Sequence, residues 1–350
     1  MKYDNNYWND VKKVVLNIPQ IELLYGKKVL VTGATGMICS SIIDILLFLN
    51  KERDAKIKMI VAGRNEDRIK KRFKDILVEE DYCFIRFDAT KSQPINAQVD
   101  YIIHGASNAN PAIYAKEPVE TLLGNIVGLN CVLDLAKSNI GSRLLYLSSS
   151  EVYGNRLDGL SAPYREEDYG FIDILNPRAC YPNSKRAAET LCVSYYKEYG
   201  VYTTIARPGH VYGPSITKAD NRASAAFTRD VIAGRNIVMK SAGMQLRSYI
   251  YTLDCASAVL TILLHGSPAN AYNVSNKKSV VSIRDIAETF ANVGGVKVVF
   301  ENPSDIEKNS YNMMSNSSLN ADKLEKLGWK AEFDLLQGVK KTIQYLSDEE

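Results

Sequence analysis

The stretch Lys28-Val29-Leu30-Val31-Thr32-Gly33-Ala34-Thr35-Gly36-Met37-Ile38-Cys39 carries a short apolar run into a turn with two glycines and then into a long apolar segment. An apolar run closed by a turn reads as a buried strand, and the segment after the turn has the length of a helix. Glycine at 33 and 36 lets the backbone come close to a diphosphate, whose charge is met by the unpaired N–H groups of the helix start. Strand, Gly-x-x-Gly turn and helix in this order predict a dinucleotide site, with Gly33, Thr35, Gly36, Met37 and Ile38 as cofactor-binding residues. Cys39 stands where a third glycine would permit tight packing, so the helix is expected to sit slightly farther from the strand.

Outward from this stretch the alternation continues. Further strands are predicted at Ile57–Ala62, Phe84–Phe87, Tyr101–His104, Leu144–Leu147 and Thr203–Arg207, with helices filling most intervals. Repeated βαβ units give the fold class: α/β, a Rossmann-type doubly wound parallel sheet with a smaller C-terminal substrate-binding lobe. The division expected is a helical extension over 1–25, an NAD(P)-binding domain over 26–213, and a mainly substrate-binding lobe over 214–350. A later strand and helix from 240–275 are expected to rejoin the sheet. Trp8, Val11, Val14 and Val15 share one side of the extension, which reads as a packing clamp.

Composition narrows the function. A chain of 350 residues, 46% hydrophobic and 24% charged, buries a large core. A net charge of +3 gives no nucleic-acid footprint. The apolar run Ile42–Leu49 contains Asp44 and is far shorter than the roughly 20 residues that span a bilayer. Asp4, Asn5, Asn6 and Asp10 interrupt any secretory signal, so a cytoplasmic protein without membrane partners is expected. Six cysteines without a CxxC pair argue against a metal site and against a disulfide framework. The acidic tail 348–350 is expected to fray.

The second strand ends Val61-Ala62-Gly63-Arg64-Asn65, with no acid for a ribose 2′-hydroxyl. Arg64, with Arg68, is placed instead to meet a 2′-phosphate, so the cofactor is NAD or NADP. Asp88 is expected at the adenine amine, and Ala89 and Ala106 join the cofactor set. Ser148-Ser149-Ser150-Glu151 follows the fifth strand, and Tyr181-Pro182-Asn183-Ser184-Lys185 opens a helix. Residues four apart share a helix face, so Lys185 is set to hold the cofactor ribose and favour the Tyr181 phenolate. Bringing a tyrosine from about 10 to about 7 takes roughly 4 kcal/mol. Lys185 and a positive nicotinamide are expected to supply it, leaving Tyr181 as the base and Ser149 to orient the reacting oxygen.

Thr32–Gly36, Ser148–Gly154 and Tyr181–Lys185 together resemble the nucleotide-sugar epimerase, dehydratase and decarboxylase branch of the extended short-chain dehydrogenases/reductases, over about residues 27–346. Pro111–Tyr114 with Pro118, Ser148–Gly154, Arg178–Leu191 and Asp220–Arg222 ahead of Phe227 are most similar to UDP-glucuronate decarboxylases (UDP-xylose synthases). Arg247–Asp254 and Leu327–Trp329 resemble the branch as a whole. The resemblance implies a nucleotide-diphosphate sugar as substrate, oxidised transiently at carbon 4, with Glu151 handling a proton at carbon 5. It places Arg222 and Arg247 at the diphosphate, Tyr114 and Arg178 at the sugar, and Asn108, Ser150 and His210 among the substrate contacts. His210 departs from the asparagine usual in the branch. A 4,6-dehydratase, a 4-epimerase, an NADPH-dependent keto-sugar reductase and a non-enzymatic dinucleotide sensor are the competing readings. Helices Pro118–Lys137 and Pro182–Tyr199 are expected to build a homodimer through a four-helix bundle.

Overall fold

A computed structural model of the chain describes residues 1, 3–73, 76–156, 162–217, 220–302 and 314–347. The acidic tail 348–350 lies outside the described residues. Strands form at Lys28–Thr32 (β1), Lys58–Gly63 (β2), Tyr82–Arg86 (β3), Tyr101–His104 (β4), Arg143–Leu147 (β5) and Tyr202–Pro208 (β6), each overlapping a predicted run. The chain continues through His210–Tyr212 (β7), Ile237–Met239 (β8), Leu246–Tyr251 (β9), Asn270–Val274 (β10), Val280–Ser282 (β11), Val298–Phe300 (β12) and Asn316–Ser317 (β13). Seven strands make one sheet in the order β10-β6-β5-β4-β1-β2-β3, every pair parallel. The later strand expected from 240–275 is β10, at the sheet edge.

Helices α1 (Asn5–Leu16), α2 (Met37–Arg53), α3 (Glu66–Arg72), α4 (Pro111–Lys116), α5 (Pro118–Ser138), α6 (Cys180–Tyr199), α7 (Ala223–Ile232), α8 (Thr252–His265) and α9 (Ile283–Gly294) follow in chain order. Side-chain alternation along β1 divides the core. Val29 and Val31 belong to one buried cluster with α1, α2 and α8, and Leu30 to another with α5 and α6. Burying a side chain of this kind contributes about 1.5–3 kcal/mol, which fixes the register of the central strand.

The strand order reverses between β1 and β4, and in a parallel sheet this opens a crevice beyond the carboxyl ends of the strands. Gly33, Arg64, Asp88, Ala106 and Ser149 all follow strands of this sheet and lie at that edge. A smaller sheet centred on β9 pairs it with β7, β11 and β13, and sets His210 opposite Tyr249. β8 pairs with β12.

In α1, Asp4 caps the first turn and Tyr7, Val11, Val14 and Val15 are buried. Tyr7 leads the packed stripe where Trp8 was expected, and Trp8 is half-buried. The Tyr7 and Tyr3 hydroxyls donate to the two oxygens of Asp44 at 2.5 and 3.1 Å. Burial raises the Asp44 carboxyl to about 6, against the pull of Arg72. The charge that interrupts the apolar run of α2 is therefore what fastens α1. Among the described residues α5 is long and apolar enough to cross a membrane by length and composition, but it packs on α6 with more than half of its apolar window buried.

Candidate active site

The turn after β1 is a cradle that only glycine permits. Gly33 has φ +71°, and a Cβ there would lie 2.7 Å from the Gly105 carbonyl oxygen and 2.8 Å from the Ala106 nitrogen. Gly36 caps α2 without a side-chain hydrogen bond, so the helix start keeps its backbone donors for a bound anion. Thr32 Oγ1 accepts from Gly105 and Ala106 N–H, both at 3.1 Å, and lies 2.9 Å from His104 Nδ1, tying the ends of β1 and β4 together. Cys39 finds its room at Gly105: a Cβ there would meet its sulfur at 2.4 Å. The glycine absent from the helix is thus matched by one on the neighbouring strand end. Across the edge, Arg64 is exposed and helps lower the Asp88 carboxyl; burial opposes this shift, and hydrogen bonds from Thr90 lead it. Ala89 turns its methyl to Gly128 of α5. Cradle and helix start fit a dinucleotide.

Tyr181, Lys185 and Glu189 recur every four residues on α6 and face the end of β5. Lys185 is 2% exposed, donates to the Leu147 carbonyl at 2.7 Å, and lies 4.6 Å from the Tyr146 ring centre and 5.7 Å from that of Tyr181. Burial lowers its ammonium to about 7, with Glu189 the chief group opposing. Ser149 caps a short turn over Ser150–Tyr153, accepting from the Glu151 N–H at 3.1 Å, and its hydroxyl faces the Tyr181 phenol. Ser150, first in that turn, is buried. The Tyr181 ring stacks on Tyr114, 5.2 Å between centres and 13° between planes. Burial and then Glu151 push the Tyr181 phenol up, while Ser149 and Arg222 pull it down. The protein alone therefore keeps Tyr181 protonated. Its hydroxyl is tuned by Ser149 and Arg222, whereas Lys185 spends its hydrogen bond on Leu147.

Glu151 lies 3.5 Å from Arg178, whose other nitrogen donates to the Tyr114 hydroxyl at 3.4 Å. Burial raises the Glu151 carboxyl, and Arg178 and Arg247 oppose it. A carboxyl held between these influences is suited to moving a proton. From the smaller sheet, Arg247 is 2% exposed and donates to the Leu246 carbonyl at 2.8 Å. Burial lowers its guanidinium, a sign of a cation with little local compensation. Arg222 starts α7, pairs with Asp220 at 2.6 Å and touches the Met37 sulfur at 3.4 Å, so it joins the lobe to the cofactor turn. His210 is driven down to about 3 by burial and then by Arg247 and Arg222, and its Nδ1 has no partner among the described residues. Asn108 turns to α5 and donates to Thr121 at 3.5 Å.

Three residues that sequence reasoning passed over complete the arrangement: Gly105, Glu189 and Arg207. Glu189 accepts from the Ser148 hydroxyl at 2.5 Å and holds Arg207 at 2.6 Å. The signal for Glu189 was its place four residues after Lys185. Arg207 had none, because its partner lies on another element.

The sequence profile of the NAD dependent epimerase/dehydratase family matches residues 29–275. UDP-glucuronic acid decarboxylase 1 of Xenopus tropicalis is 30% identical over 325 residues, covering 92% of this chain and 73% of that protein. UDP-glucuronic acid decarboxylase 6 of Arabidopsis thaliana is 30% identical over 316 residues, covering 89% of this chain and 86% of the plant protein. Among solved structures, the UDP-glucuronic acid 4-epimerase of Bacillus cereus, in complex with UDP-glucuronic acid and NAD, shares the fold at TM-score 0.75 and 20% identity, over 91% of this chain and 98% of that one.

Proposed function

This chain belongs to the NAD dependent epimerase/dehydratase family, and on that premise we propose that it oxidises a nucleotide-diphosphate sugar transiently at carbon 4 and decarboxylates UDP-glucuronate. The observation that carries this reading is Glu151: a half-buried carboxyl, raised by its partial removal from water, on the same turn as the Ser149 that faces Tyr181. Simple inversion at carbon 4 needs no such group. The likeness of the chain to UDP-glucuronic acid decarboxylases points the same way.

NAD(P), when bound, supplies a hydride acceptor that carries positive charge and returns the hydride at the end of the cycle. Gly33, Thr35, Gly36, Met37, Ile38, Asp88, Ala89, Ala106 and Lys185 would hold it. Tyr181, once ionised, takes the proton of the carbon 4 hydroxyl, with Ser149 fixing that oxygen. The sugar is then a β-keto acid. Its carbon 5 to carboxylate bond breaks, the electron pair passes to the carbon 4 oxygen as an enolate, and CO₂ leaves. Glu151 gives carbon 5 a proton, and Tyr181 returns its own when the ketone is reduced. Net redox change is zero. Arg222 and Arg247 receive the diphosphate, since guanidinium forks suit such oxyanions. Tyr114, Arg178, Ser150, Asn108 and His210 line the sugar side.

Within this reading, residues 26–213 with the returning segment of 240–275 form the cofactor domain, 214–350 the substrate lobe, and 1–25 an extension. NADP is the finer cofactor reading, carried by the exposed Arg64 beside Asp88. Mass analysis of cofactor released from the denatured protein decides it, and NAD alone would reduce Arg64 to solvated surface. A homodimer is supported by apolar side chains left exposed on the paired helices: Val119, Leu122 and Leu123 on α5, Val193 and Tyr196 on α6. Light scattering should give twice the chain mass of 39.0 kDa. Six free thiols, five of them buried, fit a cytoplasmic setting. The decisive experiment incubates the protein with UDP-, GDP-, CDP- and dTDP-sugars and records product masses. Loss of CO₂ from UDP-glucuronate is expected; loss of water or an unchanged mass would replace decarboxylation by dehydration or epimerisation.

A further inference from the structure

The face of α6 that carries Tyr181 and Lys185 continues one turn further to Glu189, and the three residues grip successive points of the β5 end. Tyr181 faces Ser149, Lys185 bonds the Leu147 carbonyl and Glu189 bonds the Ser148 hydroxyl at 2.5 Å. Glu189 is 9% exposed and is itself clamped: Arg207 reaches its two oxygens at 2.6 and 3.0 Å and passes the connection to the Tyr153 hydroxyl at 2.9 Å. From Tyr153 it continues to Asn273 of β10 at 2.6 Å. One buried carboxylate thus joins α6, the end of β5, β6 and, through Tyr153, the outermost strand.

We propose that Glu189 is a positioning residue for this site: its carboxylate locks the Ser148–Ser149 corner against α6 and holds the buried Lys185 in its ammonium form. This gives the lock a purpose only on the reading above, in which Lys185 serves the cofactor. Among the described residues, the surroundings of Lys185 leave Glu189 as the one carboxylate facing it. On α6 it meets Tyr181, Glu189 and Cys192; on α2, Cys39; on β5, the Tyr146 ring and the Leu147 carbonyl; on β4, His104, which its charge helps keep neutral. Arg207 on β6 adds a second cation on the far side of Glu189. Removal of the carboxylate leaves two buried cations sharing no anion, and the lysine is the one able to shed its proton.

The test follows Lys185 directly. Protein labelled with ¹³C-lysine is titrated by NMR, the Lys185 side-chain resonance being identified by its loss in Lys185→Met. The wild-type midpoint is expected at about 7. In Glu189→Gln it should move to acid by about one pH unit or more. Because that variant strands Arg207 and is at risk of unfolding, Glu189→Gln/Arg207→Met removes both charges and should show an acid shift in a folded protein, smaller than that of Glu189→Gln because the cation behind the carboxylate goes with it. Ser148→Ala, which keeps the carboxylate, should leave the midpoint in place. A second arm measures turnover of UDP-glucuronate against pH: kcat of the Gln variants falls, KM stays within about threefold, and Glu189→Asp recovers part of the loss. An unmoved Lys185 midpoint in both Gln variants overturns the proposal. A wild-type enzyme inert towards UDP-glucuronate overturns the reaction assigned above, and the NMR titration still decides the role of Glu189.

Discussion

The two walls of the crevice hold their charged side chains in different ways. On the sheet wall, Ser148, Glu189, Arg207, Tyr153 and Asn273 satisfy one another through a continuous buried network. On the lobe wall, Arg247 donates to its neighbour's carbonyl, and among the described residues His210 Nδ1, Gln245 Oε1 and Ser317 Oγ lack partners, as Ser107 Oγ, Asn125 Oδ1 and the Tyr146 hydroxyl do on the sheet side outside that network. Buried polar groups without partners are costly and persist where function needs them. The difference separates two tasks. On the proposed function, the sheet wall is preorganised for bond making and breaking, and the lobe wall keeps its capacity for an anionic ligand. Variants of the first should change kcat, and variants of the second should change KM.

The largest expected effect is at Tyr181. Tyr181→Phe keeps the ring that stacks on Tyr114 and loses the proton carrier, so kcat should fall by about 10³-fold while NAD(P) affinity holds. Turnover like wild type would break the assignment of chemistry to the sheet wall. Next comes Glu151→Gln, similar in size but without a carboxyl proton to give carbon 5. Product formation should slow by about 10²-fold, with reduced cofactor and keto-sugar accumulating together. Since both readings that use Glu151 need its proton, an unchanged rate would remove decarboxylation and dehydration together and leave epimerisation or net reduction.

The sheet wall was also the more legible in sequence. Gly33, Gly36, Ser149, Tyr181 and Lys185 announce themselves by local spacing, because a strand-to-helix turn and a helix face are both short-range objects. The six strands up to β6 were readable for the same reason, as short apolar runs, buried on both faces in all but the edge strand β3. What escaped depends on contacts between distant elements. Gly105 makes room for Cys39 from another strand, and Arg207 meets Glu189 across β6 and α6. Tyr7 takes the place expected of Trp8 because its hydroxyl reaches Asp44, a partner that helical periodicity cannot name. The lobe wall was legible only by resemblance, since arginines and a histidine on short strands carry no spacing rule of their own.

Arg247 sharpens the comparison from the lobe side. Arg247→Met replaces a buried guanidinium with a side chain of related length that cannot bond an oxyanion. A charged hydrogen bond is worth about 1.5–3 kcal/mol, so KM should rise by about 10- to 100-fold with kcat within about threefold of wild type. A fall in kcat at constant KM would carry chemistry into the lobe wall and dissolve the division.

The smallest effect expected is one of stability, at His210. Its folded-state value of about 3 lies below the usual 6.5, because burial and then Arg247 and Arg222 disfavour a third positive charge. The unfolded chain therefore binds more protons than the folded one between these values, and stability must fall as pH drops through that window. From about pH 7.5 to about pH 5 this single group should cost up to about 2 kcal/mol. His210→Asn restores an amide that can bond but cannot titrate. Urea unfolding at the two pH values should show wild type losing more stability than the variant, by at most that amount. His104, also held at about 3, contributes equally to both proteins and cancels in the difference. Equal losses would mean that His210 is solvated and free to charge, and that the lobe wall lacks the dry, cationic character on which its role as an anion site depends.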